Sequence, residues 1–242
     1  MNTIREKNKP AVFVTKTHAQ FFLYLWFILL SVSITTSAYA LQQHTRLWLG
    51  SDLSGDLFNL SNWEYDVNSQ ARYNFTGSQY SLTQSEAGLG YKIKPNLSLW
   101  LGYTWIIENA NVTQQHRIWN QVLWNILNND QIHLTSRTRL EERKDIYEPQ
   151  WSVRFRQRLQ LTWPKKIFNT YTPIIYDELF LNFNNPSWVN NQLVNQNRIF
   201  IGISIPLWKK IDMQVGYLNQ FQFLNPENRM SHIIYGNLNI RT

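Results

Sequence analysis

Cysteine is absent from this sequence of 242 residues. That absence excludes a disulfide framework and zinc sites built on cysteine ligands, and it is compatible with a protein of the cell envelope. The five histidines show no metal-ligand spacing either. We therefore expect neither a metal nor a cofactor.

The sequence is also not strongly hydrophobic overall. The mean hydropathy of -0.38 is too low for a membrane protein built of helices. Hydrophobic residues nevertheless make up 43% of the sequence, and aromatic residues make up 15%. A transmembrane β-barrel explains this combination, because the half of each strand that faces the lumen is polar.

The N-terminal segment has the features of a targeting sequence. Four basic residues precede an apolar run at 21–32 and a small-residue exit at 38–40. The apolar run is short for a membrane span. We expect a signal peptide over residues 1–40, cleaved near Ala40, and a barrel domain over residues 41–242, with an uncleaved anchor as the alternative.

The net charge depends partly on that segment. Loss of its four basic residues and one glutamate leaves 19 basic and 15 acidic residues, a formal charge of +4. Nucleic-acid binding would require a basic patch on a soluble surface. Here the arginines alternate with apolar side chains instead, so no nucleic-acid partner is expected.

One stretch, residues 151–163, shows the organisation of the whole chain. On a strand, Arg154, Arg156 and Arg158 share one face, while tryptophans at both ends and apolar residues between them share the other, with Gln157 the only exception. The two tryptophans are twelve residues apart, about 30 Å across the membrane for a strand tilted by about 40°. This stretch is therefore predicted to cross a bilayer between a lipid face and a polar lumen.

The same period of two recurs along the rest of the chain. Eleven alternating runs are separated by turn-forming residues, at 45–57, 63–73, 81–93, 97–107, 115–126, 131–143, 151–163, 172–184, 196–207, 211–223 and 231–241. Asp177 falls on the lipid side of its run, so we expect a bulge or an interfacial position there. The fold class predicted is all-β: a transmembrane antiparallel up-and-down β-barrel of ten to twelve strands.

Two further features bear on the topology. Bacterial single-chain barrels normally have an even strand number, so either one run is split or extra, or the N-terminal segment crosses or plugs the lumen. The connections alternate between tight and long, with a medium one at 164–170. Because outer-membrane barrels have short periplasmic turns and longer outside loops, the alternation predicts the outer membrane of a Gram-negative-type cell.

The inward faces of the central runs carry many charges. The predicted lumen network consists of Glu86, Arg137, Arg139, Glu141, Arg154, Arg156, Arg158, Glu178 and Arg198. Two interpretations stay open: a salt-bridged plug that stiffens the barrel, or a narrow pore whose cationic wall favours anionic solutes. Ten to twelve strands allow both.

A lipid-modifying enzyme is a further alternative. Such an enzyme needs a histidine beside a serine on the lipid face. His116 and His232 face outward near loops, but the neighbouring run is expected to bring Thr138, Leu140 and Glu142 opposite His116, with no serine. We therefore expect no enzyme and assign no catalytic residue.

A surface adhesin or partner-binding barrel would depend on the loops. The longest candidate is 185–195, which contains Pro186 and Trp188. The partners expected for a barrel of this kind are membrane lipid and lipopolysaccharide, the outer-membrane assembly machinery and small anionic solutes.

Several short motifs occur in an order that resembles a known family. They are Ala87-Gly88-Leu89-Gly90-Tyr91, Ser136-Arg137-Thr138-Arg139-Leu140-Glu141, Asp177-Glu178-Leu179-Phe180, Asn195-Gln196-Asn197-Arg198 and Val215-Gly216-Tyr217. Over most of residues 41–242 the chain resembles domain of unknown function 2490, a family described as probable outer-membrane barrel proteins. The resemblance implies that location and fold, and no established activity.

Overall fold

The computed structural model describes residues 41–60, 62–75, 79–108, 113–164 and 170–242. Within this part of the chain, eleven strands follow one another. They are β1 (Leu41–Asp56), β2 (Trp63–Asn74), β3 (Gln79–Lys94), β4 (Leu97–Glu108), β5 (Thr113–Asn128), β6 (His133–Asp145), β7 (Ser152–Thr162), β8 (Thr172–Asn182), β9 (Val194–Trp208), β10 (Ile211–Gln222) and β11 (Asn228–Arg241). The predicted signal peptide at 1–40 and its cleavage near Ala40 lie outside the described residues.

Each alternating run of the sequence corresponds to one strand. The run predicted at 97–107, for example, is β4, and the run at 151–163 is β7. Since polar and apolar side chains alternate, only an extended backbone separates them onto two faces. No helix in the described residues is long and apolar enough to cross a membrane.

The eleven strands close into a single barrel in which neighbours along the chain pair antiparallel. The exception is the closing pair, β1 with β11, which is parallel from Leu41 opposite Asn228 to Ser54 opposite Arg241. Successive strands reverse direction, so with an odd number the first and the last run the same way. The barrel is therefore antiparallel, as predicted, at every pair of neighbouring strands but this one.

The barrel places apolar side chains outward and mainly polar side chains inward, the reverse of a soluble protein. Many of its outward apolar residues are open, and Leu101 and Ile201 are each 57% exposed. Its most buried residues point into the lumen, as do Thr104 at 1% and Phe200 at 0%. An apolar exterior around a packed, largely polar interior is the arrangement of a transmembrane barrel, so the predicted fold class is confirmed.

Aromatic side chains fill part of the interior because glycines on the same or the adjacent strand leave room for them. The indole of Trp119 lies where a Cβ on Gly102 would stand, 2.0 Å from it. The ring of Phe200 fits in the same way against Gly202 and Gly216. Phe200 belongs to an inner apolar cluster on β1 and β8–β11, formed by Trp48, Ile174, Tyr176, Phe200, Leu218 and Ile233.

Asp177 lies on the outer face of β8 without a local bulge. It pairs in regular register with Leu159 on β7 and Ile199 on β9, and the register shift between β8 and β9 lies three residues further along. The Nδ2 group of Asn197 donates a hydrogen bond to Asp177 Oδ1 at 2.6 Å. Of the two predicted alternatives, the bulge is therefore wrong: a side-chain amide pairs with one carboxylate oxygen, and the backbone keeps its register.

The two ends of the barrel differ in how the chain reverses. The turn end joins β1 to β2, β3 to β4, β5 to β6, β7 to β8 and β9 to β10, and the loop end holds the other connections. The turn-end connection at 163–171 is longer than every loop-end connection except 183–193. The length alternation predicted from the sequence is therefore less regular than expected.

Candidate functional site

The inner wall of the barrel carries every residue of the predicted lumen network. They come from five strands: Glu86 on β3; Arg137, Arg139 and Glu141 on β6; Arg154, Arg156 and Arg158 on β7; Glu178 on β8; and Arg198 on β9. Eight of them line one cavity of about 890 Å³, and the ninth, Glu141, is 1% exposed. Alternate residues of a strand share a side, so one period places all of them inward.

Glu141 binds two arginines of the neighbouring strand. Arg154 lies directly opposite it in the register and donates from Nε to Oε2 at 2.9 Å and from Nη2 to the same oxygen. Arg156, two residues along on the same face, donates from Nη1 to Oε1 at 2.5 Å. Both carboxylate oxygens of Glu141 are therefore paired with buried guanidinium groups.

Glu178 collects a second group of arginines. Its Oε1 accepts from Arg156 Nη2 at 2.7 Å and from Arg137 Nη2 at 2.6 Å. Its Oε2 lies 3.9 Å from Arg198 Nη1. Arg156 thus bridges Glu141 and Glu178, which joins β6, β7 and β8 across the inner wall.

Glu86 extends the same connections to β3. Arg139 donates to both of its oxygens, from Nη1 at 3.0 Å and from Nη2 at 2.8 Å. The Oγ1 hydroxyl of Thr104 donates to Glu86 Oε2 at 2.7 Å. Arg139 Nη1 also lies 3.9 Å from Glu141 Oε1. We call the connected set the salt-bridged layer: Glu86, Arg137, Arg139, Glu141, Arg154, Arg156, Glu178 and Arg198.

Arg158 differs from the other arginines of the predicted network. Within the described residues, no carboxylate lies within salt-bridge distance of its guanidinium group. Its Cζ atom lies 5.1 Å from the ring centre of Tyr176. Arginines of the salt-bridged layer lie over rings as well, among them Arg139 at 3.8 Å from Trp119 and Arg156 at 4.7 Å from Phe180. Aromatic rings therefore supply part of the contact that these cations lose with water.

Burial makes the pairing of these charges necessary. Arg139 is 4% exposed and Glu178 2%, and an unpaired charge at such a site costs several kcal/mol of desolvation. The ion pairs offset this cost only while each member keeps its partner. The salt-bridged layer is therefore a cooperative unit: loss of the Glu141 or Glu178 carboxylate would affect two or three arginines at once.

The lumen contains more arginines than the predicted network. Eleven arginines and five carboxylates line the 890 Å³ cavity. The additional arginines are Arg46, Arg72, Arg117, Arg143 and Arg229. The first four also fall on inward positions of their alternating runs, so the same period could have found them, whereas Arg229 lies in a segment that the sequence assigned to a loop. The excess of guanidinium groups gives the cavity a strongly cationic wall.

One connection of the loop end folds against the cavity. Trp188, Val189 and Asn190 in the 183–193 segment are among the cavity-lining residues. Side-chain bonds hold this segment against its neighbours: Trp188 Nε1 donates to the carbonyl oxygen of Gln150 at 3.0 Å, Ser187 Oγ donates to Glu148 Oε2 at 3.1 Å, and Asn190 Nδ2 donates to the carbonyl oxygen of Phe223. The segment that the sequence offered as an adhesive loop therefore narrows the mouth of the lumen.

The outward histidines pair with tyrosines. The hydroxyl group of Tyr103 is hydrogen-bonded to His116 Nδ1, and that of Tyr217 to His232 Nδ1 at 2.6 Å. His116 lies opposite Lys144 on β6, so the expected neighbours Thr138, Leu140 and Glu142 are wrong. The chain reverses about two residues later than the sequence suggested, which shifts the register.

In the described ranges, no three side chains of histidine, aspartate or glutamate come together in a way that could hold a metal ion. The acidic side chains of the lumen are instead engaged by arginines, which compete with any cation for the carboxylate oxygens.

The sequence of this barrel matches a known family profile over residues 45–231, which carries the description "Protein of unknown function (DUF2490)". The chain belongs to this family. One relative is an uncharacterized protein of Methylorubrum extorquens. It is 26% identical over 204 residues, which cover 82% of this chain and 88% of the relative. The family assignment predicted from the short motifs is thereby confirmed.

Three solved structures align with this chain at low sequence identity. A bacterial polysaccharide outer membrane secretin aligns with a TM-score of 0.49 at 8% identity, covering 72% of this chain and 62% of that one. The NanC porin aligns with a TM-score of 0.49 at 12% identity, covering 76% of this chain and 91% of that one. The KdgM porin aligns with a TM-score of 0.43 at 13% identity, covering 70% and 81%.

Proposed function

We propose that this DUF2490 protein is an outer-membrane barrel whose lumen is a narrow pore that favours anions. One observation carries the proposal: a cavity of about 890 Å³ is lined by eleven arginines against five carboxylates. In a narrow, low-dielectric lumen, such an excess attracts anions and repels cations.

The cavity reaches from one end of the barrel towards the other. Near the loop end it is lined by Asn190 and Arg229, and near the turn end by Asp52 and Asp66. The salt-bridged layer occupies the wall between them and makes the passage narrow. A passage narrowed in this way would admit small hydrated anions rather than large solutes.

The location follows from the same arrangement. An apolar exterior on a closed barrel requires a bilayer, and single-chain barrels of this kind are typical of bacterial outer membranes. There the exterior contacts lipid and lipopolysaccharide, and insertion requires the outer-membrane assembly machinery. Signal cleavage after Ala40 would leave β1 whole, since that strand begins at Leu41.

Ion selectivity in planar bilayers tests the proposal. Arg158→Gln and Arg46→Gln each remove a lumen charge without leaving a carboxylate unpaired, so both variants keep the salt-bridged layer intact. We expect wild-type reversal potentials that favour chloride over potassium, and a shift towards potassium in each variant. Lys144→Gln removes a cation from the outer face of β6 and serves as the matched control with no shift.

The alternative is a lumen closed by its own ion pairs. A correctly folded wild-type barrel that inserts into the bilayer and yields no conductance would establish the structural plug and refute the pore. Folding is checked in the same preparations by heat-dependent electrophoretic mobility and by the β-sheet circular dichroism signal.

A further inference from the structure

Two arginines face each other directly near the loop end of the lumen. Arg117 on β5 is opposite Arg143 on β6 in the strand register, and both side chains line the cavity. Like charges directly opposite on neighbouring strands repel, so such a pair normally needs a counter-charge. The identity of that counter-charge is the question that the pair raises.

Another opposed pair in the lumen shows how the protein itself neutralises such an arrangement. Arg139 lies opposite Arg156, with Glu86 bound to the first and Glu141 to the second. For Arg117 and Arg143, the described residues provide no carboxylate within salt-bridge distance. Two acids flank Arg143 on the inner face of β6: Glu141 is bound by Arg154 and Arg156, and Asp145 accepts the backbone N–H of Tyr147 at 3.0 Å.

The guanidinium groups of this pair are held in place but not saturated. Arg117 Nη2 donates to Gln115 Oε1 at 3.0 Å, and Arg143 Nη2 donates to Ser152 Oγ at 2.7 Å and to Asn182 Oδ1 at 3.3 Å. The Nε–H groups of both arginines are buried and have no hydrogen-bond partner in the described residues. Arg143 is only 6% exposed. Buried N–H donors without a partner are costly, which points to a missing acceptor.

The position of the pair connects it to the mouth of the cavity. The ring centre of Trp188 lies 5.5 Å from Arg143 Cζ, in the 183–193 segment that narrows the loop end. A solute entering from that end reaches Arg117 and Arg143 before the salt-bridged layer.

We infer that Arg117 and Arg143 form a binding site for a divalent tetrahedral oxyanion, a phosphate or sulfate group. Two guanidinium groups supply two positive charges, and their planar sets of N–H donors match the geometry of such oxygens better than an ammonium group does. A monocarboxylate would neutralise only one of the two charges. The site deepens the proposed function and rests on it, because the ligand reaches the pair through the lumen.

Equilibrium binding to the folded barrel in detergent micelles tests the site. Titration calorimetry with inorganic phosphate, with sulfate and with glucose 6-phosphate would compare the free anion with the same group on a sugar, and acetate would represent the singly charged carboxylate. We expect the divalent anions to bind at least about tenfold more tightly than acetate, the loss expected for one missing charge-assisted contact. Binding of glucose 6-phosphate as tight as that of phosphate would identify a phosphate ester as an acceptable source.

Substitutions then locate the binding. Arg117→Gln and Arg143→Gln should each weaken phosphate binding by about tenfold or more. Arg46→Gln removes the same charge from the same cavity on β1 and should change the affinity less than about threefold. Equal weakening by all three variants would show a diffuse charge effect and overturn the site, as would the absence of phosphate and sulfate binding to the wild-type barrel.

Two details keep the experiment decisive. If Arg143→Gln fails to fold, Arg143→Lys retains the charge but loses the paired donors, and it should still weaken binding while Arg117→Gln gives the independent answer. Binding is measured without a membrane potential, so a barrel that binds phosphate but conducts no ions would refute the pore and leave the site standing.

Discussion

Arg139 donates hydrogen bonds to both carboxylate oxygens of Glu86, although the two residues are 53 positions apart in the chain. Their strands, β6 and β3, are separated in the barrel by β4 and β5. The contact therefore spans the inner wall over two intervening strands, and it ties the first half of the barrel to the arginine-rich half. Parallel N–H···O bonds of this kind are among the strongest polar contacts in proteins.

A double-mutant cycle should detect this coupling. Arg139→Gln and Glu86→Gln should each lower the free energy of unfolding by about 3 kcal/mol, because each leaves a buried charge without its partner. The double variant should lose clearly less than the sum of the two. Urea unfolding from phospholipid vesicles measures all four proteins, and strict additivity would contradict a direct interaction.

Substitution of Glu141 should cost more stability than substitution of Glu86. Glu141→Gln removes the charge that Arg154 and Arg156 share, and we expect a loss of about 3–5 kcal/mol. Glu142→Gln, at the next position on the exposed outer face, is the matched control, with a change of less than about 0.5 kcal/mol. Equal effects in the same unfolding assay would show that the inner pairing does not contribute to stability.

Gly102 should tolerate no side chain. An added Cβ would lie 2.0 Å from the Trp119 ring, so Gly102→Ala must displace a buried indole at a cost of about 1–3 kcal/mol. At Gly236 the nearest atom is the flexible end of Leu49, at 3.2 Å, and Gly236→Ala should cost less than about 1 kcal/mol. The thermal midpoint and the tryptophan fluorescence of the two variants provide the comparison. An unchanged midpoint in Gly102→Ala would mean that the Trp119 indole can move aside without loss of stability.

Asp177 should be a site where removal of charge stabilises the barrel. Its Oδ2 atom has no partner in the described residues, and a carboxylate that is only 6% exposed and half paired is unfavourable. Asp177→Asn keeps an acceptor for Asn197 and removes the charge, so the free energy of unfolding should rise by about 1–2 kcal/mol. The exposed Asp130 provides the control Asp130→Asn, which should leave stability unchanged; a less stable Asp177→Asn variant would argue that the charge itself is needed.

Lipid hydrolysis is not expected from this barrel. The outward histidines His116 and His232 are bonded to tyrosine hydroxyl groups rather than to serines. Purified protein mixed with fluorogenic phospholipid micelles should release no product above the rate of a heat-denatured sample. Turnover that disappears in His116→Ala or His232→Ala would establish the enzyme that we do not expect.

Much of the fold could be read from local pattern. Alternation of polar and apolar residues gave eleven runs, and it placed Arg154, Arg156 and Arg158 together on the inner side, because strand geometry fixes side-chain direction with a period of two. That relation needs no knowledge of any distant residue. The even strand number assumed for bacterial barrels would have led to a wrong count.

Pairing across the lumen could not be read in this way. The sequence showed Glu86 and Arg139 as inward charges, yet only closure of the barrel brings these two strands within reach of each other. The parallel seam between β1 and β11, the bond from Asn197 to Asp177 and the position of Lys144 opposite His116 depend likewise on register and closure. The face that each side chain occupies follows from the local sequence, because an extended backbone points successive side chains to opposite sides. The charges that meet depend on the closed barrel, because contact between distant strands is set by strand number, stagger and closure, which no local period contains.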